Sequence, residues 1–170
     1  SLSVAEGELL QSGGTFNGVG NIRVYKKNLT LEKAGTMDVK SDKIGVRLMT
    51  ENLIIKDANS KIEVIGNLNT DAQVGSSVKG NVSVTAGKLI VEKAKDVGLV
   101  ADGNILSTAK GTISGACTDE TSTATDIGGV VSKAGDITAD NGEIIGLTVH
   151  EYNDSDKVSG ATDHAAVHAK

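Results

Sequence analysis

An amide or acid followed by an apolar residue recurs along this chain, as Asn28-Leu29, Asn52-Leu53, Asn81-Val82, Asn104-Ile105 and Asp136-Ile137. Ahead of each stands an apolar residue followed by glycine: Val19-Gly20, Ile44-Gly45, Val74-Gly75, Val97-Gly98 and Ile127-Gly128. The separations between the two marks are 9, 8, 7, 7 and 9 residues. A third mark follows, a turn residue, a spacer and an apolar residue: Gly35-Thr36-Met37, Ser60-Lys61-Ile62, Gly87-Lys88-Leu89, Gly111-Thr112-Ile113 and Gly142-Glu143-Ile144. Its apolar member lies 9, 10, 8, 9 and 8 residues beyond the amide or acid. Separations held this closely over five copies mark a stacked structural unit.

Within a unit the apolar residues alternate with others, as in Leu29-x-Leu31, Ile62-x-Val64, Val82-x-Val84 and Leu89-x-Val91. Alternation gives a strand one inward and one outward face. A single unit cannot bury its inward face, whereas a stack buries it continuously. The expected fold is all-β, a single-stranded right-handed parallel β-helix (β-solenoid) of about six coils with three short strands per coil. It is expected to form one domain over residues 1–170, with regular coils over 19–157. Residues 1–18, with Phe16, are expected to be an N-terminal cap or edge segment. Residues 158–170, where Val158 and Ala166-Val167 stand at the marked places, are expected to be a degraded last coil or a C-terminal cap. Composition agrees: hydrophobic residues make up 38% of the chain but aromatics only 2%, with 21 glycines and no proline. Thin layers filled with Val, Ile, Leu and Ala tolerate that mixture.

The column Asn28, Asn52, Asn81, Asn104 and Asp136 reads as a structural ladder. Equivalent residues stack at about 4.8 Å in a parallel solenoid. An amide both donates and accepts, so stacked amides can bond along the column. Each Asn also suits a turn on its own. The sequons at Asn28 and Asn81 fall in this column and read as coincidental; a third lies at Asn153-Asp154-Ser155. The longer gaps between units fall at Ile65 to Gln73, Ala116 to Asp126 and Glu151 to Asp156, all after the third strand. These polar loops are expected to leave one corner together, and such a corner often forms a binding face. Its candidate binding residues are Asp71, Asp119, Glu120, Asp126, Asp154 and Asp156, which could hold calcium.

No catalytic residues are expected, and the chain reads as a non-enzyme. Cys117 cannot form an intramolecular disulfide as the only cysteine, and it reads as a surface thiol. His164 and His168 have a metal-binding spacing only if the segment is helical, and no third ligand accompanies them. Arg23 and Arg47, the only arginines, fall on adjacent coils and are expected to pair with surface carboxylates. The formal net charge of -5 speaks against nucleic acid and anionic membrane surfaces. No apolar run approaches the roughly 18 residues of a membrane span, so no membrane insertion is expected. No secretory signal stands at Ser1, so the chain is expected to be a mature exported fragment or, alternatively, cytoplasmic.

The segments VGLVADGNILSTAKGTISG, IGGVVSKAGDITADNGEIIG and IGVRLMTENLIIKDANSKIEV resemble the repeats of bacterial cell-surface β-helix proteins. Those include clostridial carbohydrate-binding β-helix proteins and filamentous-haemagglutinin-type adhesins; the likeness covers about residues 19–149. It implies cell-surface display and adhesion or polysaccharide contact, with calcium as the implied ion. VKGNVSVTAGKLIVEKAKDVGLVADGNI is similar to the repeat of bactofilins, which are cytoplasmic end-to-end polymers, although bactofilin coils are shorter and more uniform. The leading expectation is an extracellular structural protein, an adhesin segment or fibre subunit that self-associates head to tail through open strand edges. The alternatives are a calcium-assisted carbohydrate-binding module and a bactofilin-like cytoskeletal polymer.

Overall fold

The computed structural model describes residues 2–20, 22–40, 47–66, 75–94, 97–117, 126–148 and 163–169. All regular structure among them is β-strand. The first coil holds β1 (Leu2–Val4), β2 (Leu9–Ser12) and β3 (Thr15–Gly18). The second holds β4 (Ile22–Val24), β5 (Leu29–Glu32) and β6 (Thr36–Lys40). The third holds β7 (Arg47–Thr50), β8 (Leu53–Ile55) and β9 (Lys61–Ile65). The fourth holds β10 (Gly75–Val78), β11 (Val82–Thr85) and β12 (Lys88–Ala94). The fifth holds β13 (Val97–Ala101), β14 (Ile105–Thr108) and β15 (Thr112–Cys117). The sixth holds β16 (Asp126–Ser132), β17 (Ile137–Asp140) and β18 (Glu143–Thr148). A last strand, β19 (Asp163–Ala169), follows.

Every strand pairs in parallel with the equivalent strand of the next coil. The first sheet runs β1-β4-β7-β10-β13-β16-β19, the second β2 to β17, and the third β3 to β18. The molecule is a parallel β-solenoid, as the repeat predicts. The segment expected to be a cap or edge, residues 1–18, is a complete coil of three strands at the edge of the stack. Residues 163–169 extend the first sheet alone, by a seventh strand paired with β16.

The registers align the apolar columns, with one shift in the third sheet between Val91 and Ala94. In the second sheet Leu9, Leu29, Leu53, Val82, Ile105 and Ile137 face one another in turn. In the third sheet the column is Phe16, Met37, Ile62, Leu89, Ile113 and Ile144. The members of the middle coils are fully buried, and the end members are partly buried against the same core. Burial of each such side chain contributes about 1.5–3 kcal/mol, so identical small increments repeat along the axis. No single large ring is needed, which accounts for the scarcity of aromatics.

The three corners differ in how they turn. Between the second and third sheets the chain uses left-handed residues, among them Lys33 (φ 52), Ala34 (φ 60), Ala109 (φ 51) and Lys110 (φ 65). Between the first and second sheets sits the Asn column. The long connections β9–β10, β15–β16 and β18–β19 all run from the third sheet to the first, so they share one corner. That corner is tight in the fifth and sixth coils. A Cβ on Gly98 would lie 2.6 Å from both the Ala116 nitrogen and the Gly129 oxygen, and one on Gly115 would fall on the Gly129 carbonyl. The first and third sheets therefore meet backbone to backbone there. The glycine of the Val97-Gly98 mark is a packing requirement.

Candidate functional site

The ladder forms, with a different bonding pattern from a stack of amides. Asn52 Nδ2 donates to Asn28 Oδ1 at 2.9 Å, the one amide-to-amide step. Above it the side-chain oxygen accepts from the next backbone instead. The N–H groups of Asn81, Asn104 and Asp136 donate at 2.8 Å to Asn52 Oδ1, Asn81 Oδ1 and Asn104 Oδ1. The reason lies one residue earlier. Gly80, Gly103 and Gly135 precede those three donors, and a Cβ on any of them would collide with the amide oxygen of the coil below. Where Glu51 stands in that place, the amide bonds a side chain rather than the backbone. The first coil carries Glu8 in the ladder position, opposite Asn28, so a carboxylate closes the column at each end. Each bond of this kind contributes about 0.5–1.5 kcal/mol. The column fixes coil register and brings no reactive groups together.

The corner with the long connections is only partly described. Asp71, Asp119, Glu120, Asp154 and Asp156 lie outside the described residues, as do His150 and the sequon at Asn153. Asp126 opens β16, its backbone paired with Asp163. Among the described residues no three His, Cys, Asp or Glu side chains converge to hold a metal ion. His164 and His168 belong to β19, a strand and not a helical turn. Residues four apart on a strand have backbones about 13 Å apart, so the helical spacing that suggested a metal does not apply. Cys117 is buried at the inward end of β15, against the expectation of a surface thiol.

A charged cluster lies on the outer face of the third sheet. Lys61 Nζ lies 2.8 Å from Glu63 Oε2 and 3.9 Å from Asp38 Oδ1, and Lys40 Nζ lies 4.0 Å from Glu63 Oε2. The hydrogen bond from Lys61 holds the Glu63 carboxyl below its ordinary range, and the same bond raises Lys61. Each charge there answers another, so the cluster is structural.

Arg23 behaves otherwise. The expectation that it pairs with a carboxylate is not met: among the described residues no acid lies within ion-pair distance of it. Its Nη1 instead donates to the Tyr25 hydroxyl at 3.5 Å, and its Nε is shielded from solvent with no acceptor. The hydrogen bond from Arg23 lowers the Tyr25 hydroxyl below its ordinary range. Arg23 and Tyr25 line an open groove on the outer face of the first sheet, with Met49, Ser77 and Lys79. The other arginine, Arg47, is in β7 with its backbone beside Gly75. No carboxylate pair or nucleophile–base pair in the sequence points to this groove. Its one signal there is the placement of both arginines on adjacent coils.

The two ends of the stack complete the candidates. At one end β1, β2 and β3 are edge strands, with Leu2, Val4, Leu9 and Phe16 only partly buried. At the other end β17 and β18 are edges, with Ile137 and Ile144 partly buried, and Ile145 and Leu147 are exposed on the outer face of β18. Comparisons with protein-family models, curated proteins and solved structures find no match to this chain.

Proposed function

We propose that this chain is a non-enzymatic structural subunit of a bacterial surface, a solenoid segment that joins others of its kind end to end. The observation that carries the reading is Gly7. It precedes the ladder residue Glu8, the same place that Gly80, Gly103 and Gly135 occupy in later coils. Those three glycines are needed because an amide of the coil below fills the space of their Cβ. Among the described residues no coil lies below Gly7, and a Cβ there would meet only Val4 Cγ1 at an ordinary 3.6 Å. The space suits a ladder side chain of a coil stacked below the first one.

Asp136 of a second copy supplies it. Its carboxylate ends the ladder as an acceptor, and the N–H of Glu8 is the donor that the ladder pattern places above it. In this joint β2 and β3 of the incoming copy dock on the edges β17 and β18. β19 occupies the rung that the incoming β1 would take, so the three-residue β1 gives way. Partly buried Leu9 and Phe16 then cover Ile137 and Ile144, which extends the core across the contact.

Sedimentation velocity and electron microscopy of the purified chain over a concentration series test this. Elongated species that grow with concentration are expected. Gly7→Gln should keep the circular dichroism and melting temperature of the parent and lose the association. A strict monomer at high concentration, or a Gly7→Gln variant that associates like the parent, would end the proposal.

A further inference from the structure

Among the described residues the seventh rung of the stack holds one strand, β19, where each rung below it holds three. No described strand lies along its far edge. β19 nonetheless carries the inward columns of the first sheet one step further. Val167 follows Leu48, Leu99 and Val130, all fully buried, in one column. Ala169 follows Val78, Ala101 and Ser132, also buried, in the other. Val167 itself is 41% exposed, and Ala169 is exposed as well. At the opposite end of the stack the same two columns begin with Leu2 and Val4 of β1, beside Ile22 and Val24 of β4.

A rung with a strand in the first sheet alone is the complement of a coil that offers strands to the second and third sheets alone. The first coil of an incoming copy becomes such a coil once its β1 gives way. β1 is the weaker claimant for the edge of β4. It has three residues, with Leu2 and Val4 only partly buried, whereas β19 has seven and is already paired along β16. The backbone bonding at this edge also repeats from coil to coil. The N–H after the strand donates to a carbonyl of the coil below: Tyr25 to Val4 and Lys79 to Thr50 at 3.0 Å, Asp102 to Val78 and Lys133 to Ala101 at 2.9 Å. Ala169 stands in the column of these acceptors, so its carbonyl is the next acceptor in the series. An edge with unused carbonyls and N–H groups is a template for another strand.

We propose that β19 is a donated strand, which pairs along β4 of a second copy of this chain and takes the place of that copy's β1. The joint is then a composite coil, with β19 from one chain and β2 and β3 from the next. Val167 lies beneath Ile22 and Ala169 beneath Val24 of the incoming copy. The Ala169 carbonyl accepts from its Tyr25 N–H, in place of the Val4 carbonyl. The assignment rests on the end-to-end reading above. It adds to that reading the strand that crosses the joint and the exchange that precedes it, because β1 must leave β4 before the joint closes.

Disulfide mapping across the joint tests it, with full-length chains in a Cys117→Ser background. Position 168 is beside Val131 in register, and Arg23 is beside Ser3. In the composite coil position 168 of one copy therefore lies one rung from Arg23 of the next, about 4.8 Å, a spacing that a disulfide spans. Within one chain the two positions are five rungs apart, about 24 Å, too far for a disulfide. A mixture of His168→Cys and Arg23→Cys chains should form a covalent dimer about tenfold or more faster than either chain alone, because the joint raises the local concentration of the two thiols. Leu2→Ser with Val4→Ser loosens β1 and should speed that reaction several-fold. Melting curves of each variant confirm that the fold is kept. Cross-linking of Ser3→Cys with Val131→Cys in its place would mean that β1 evicts β19. Cross-linking of Ser3→Cys with His168→Cys would mean that the incoming copy sits one rung higher. Either pattern, or a chain that associates without the 168-to-23 cross-link, would overturn the donated strand and leave the end-to-end reading standing. A parent chain that sediments as a strict monomer in the same buffer would end both.

Discussion

Replacing Gly103 by alanine tests the ladder from its most constrained point. A methyl there would fall on Asn81 Oδ1 and lie 3.0 Å from the Gly80 oxygen. To admit it, the Asn81 amide must turn away and give up the 2.8 Å bond from the Asn104 N–H. The lost bond costs about 0.5–1.5 kcal/mol. Crowding adds roughly 1–3 kcal/mol, and the lower chain entropy of alanine returns about 0.5–1 kcal/mol. The expected net loss is about 1–3 kcal/mol. Asn81→Ala alone should cost about 0.5–1.5 kcal/mol, the bond without the crowding. In that background the amide is gone, so Gly103→Ala should add little. The double variant should therefore lie close to Asn81→Ala, with a coupling of about 1–3 kcal/mol, the whole of the Gly103→Ala loss. Urea unfolding of the four proteins measures it, read from midpoints at a constant slope. Additivity within about 0.5 kcal/mol would show that the glycine is not there for the amide, and the argument from Gly7 would fall with it.

Three further outcomes follow from single sites. Ala109 is exposed and left-handed, so Ala109→Gly should relieve backbone strain and stabilise the chain by roughly 0.5–1 kcal/mol in the same assay. Glu63 is held below its ordinary pKa by Lys61, so its contribution is present above the ordinary carboxylate range and lost as pH falls through the lowered folded value. Glu63→Gln should thus cost up to about 1 kcal/mol near neutral pH, discounted because both groups are partly exposed, and the gap to the parent should close in acid. Cys117 is fully buried, so a disulfide reagent should label it only as fast as the chain opens, and immediate labelling of the native protein would contradict its inward position.

The column residues are legible because a parallel stack puts a period directly into the sequence. That period alone places Asn28 to Asp136 and the inward residues from Leu29 to Ile144. The first coil escapes it because this coil lacks both the apolar-Gly mark and the amide. It does carry Glu8-Leu9, and Gly14-Thr15-Phe16 follows with Phe16 8 residues beyond Glu8, inside the range of the other coils. The inward position of Cys117 is hidden by its polar neighbours, although it stands two residues beyond Gly115 on the buried face of β15. The bonding pattern of the ladder is not legible either. It depends on whether glycine or a larger residue precedes each donor, a steric fact of the folded coil. The groove at Arg23 depends on the outer face, where no apolar period reports.

A distance along the axis tests the stacked-coil account most directly. Leu10 and Thr138 are outward residues of β2 and β17, five rungs apart in the second sheet, with exposed side chains. Spin labels on cysteines at these two places, in a Cys117→Ser background, can be measured by pulsed electron resonance. At about 4.8 Å per rung the account predicts a narrow distribution near 24 Å between labelled backbones. A distance far from that value, or a broad spread, would contradict a continuous solenoid from the first coil to the sixth.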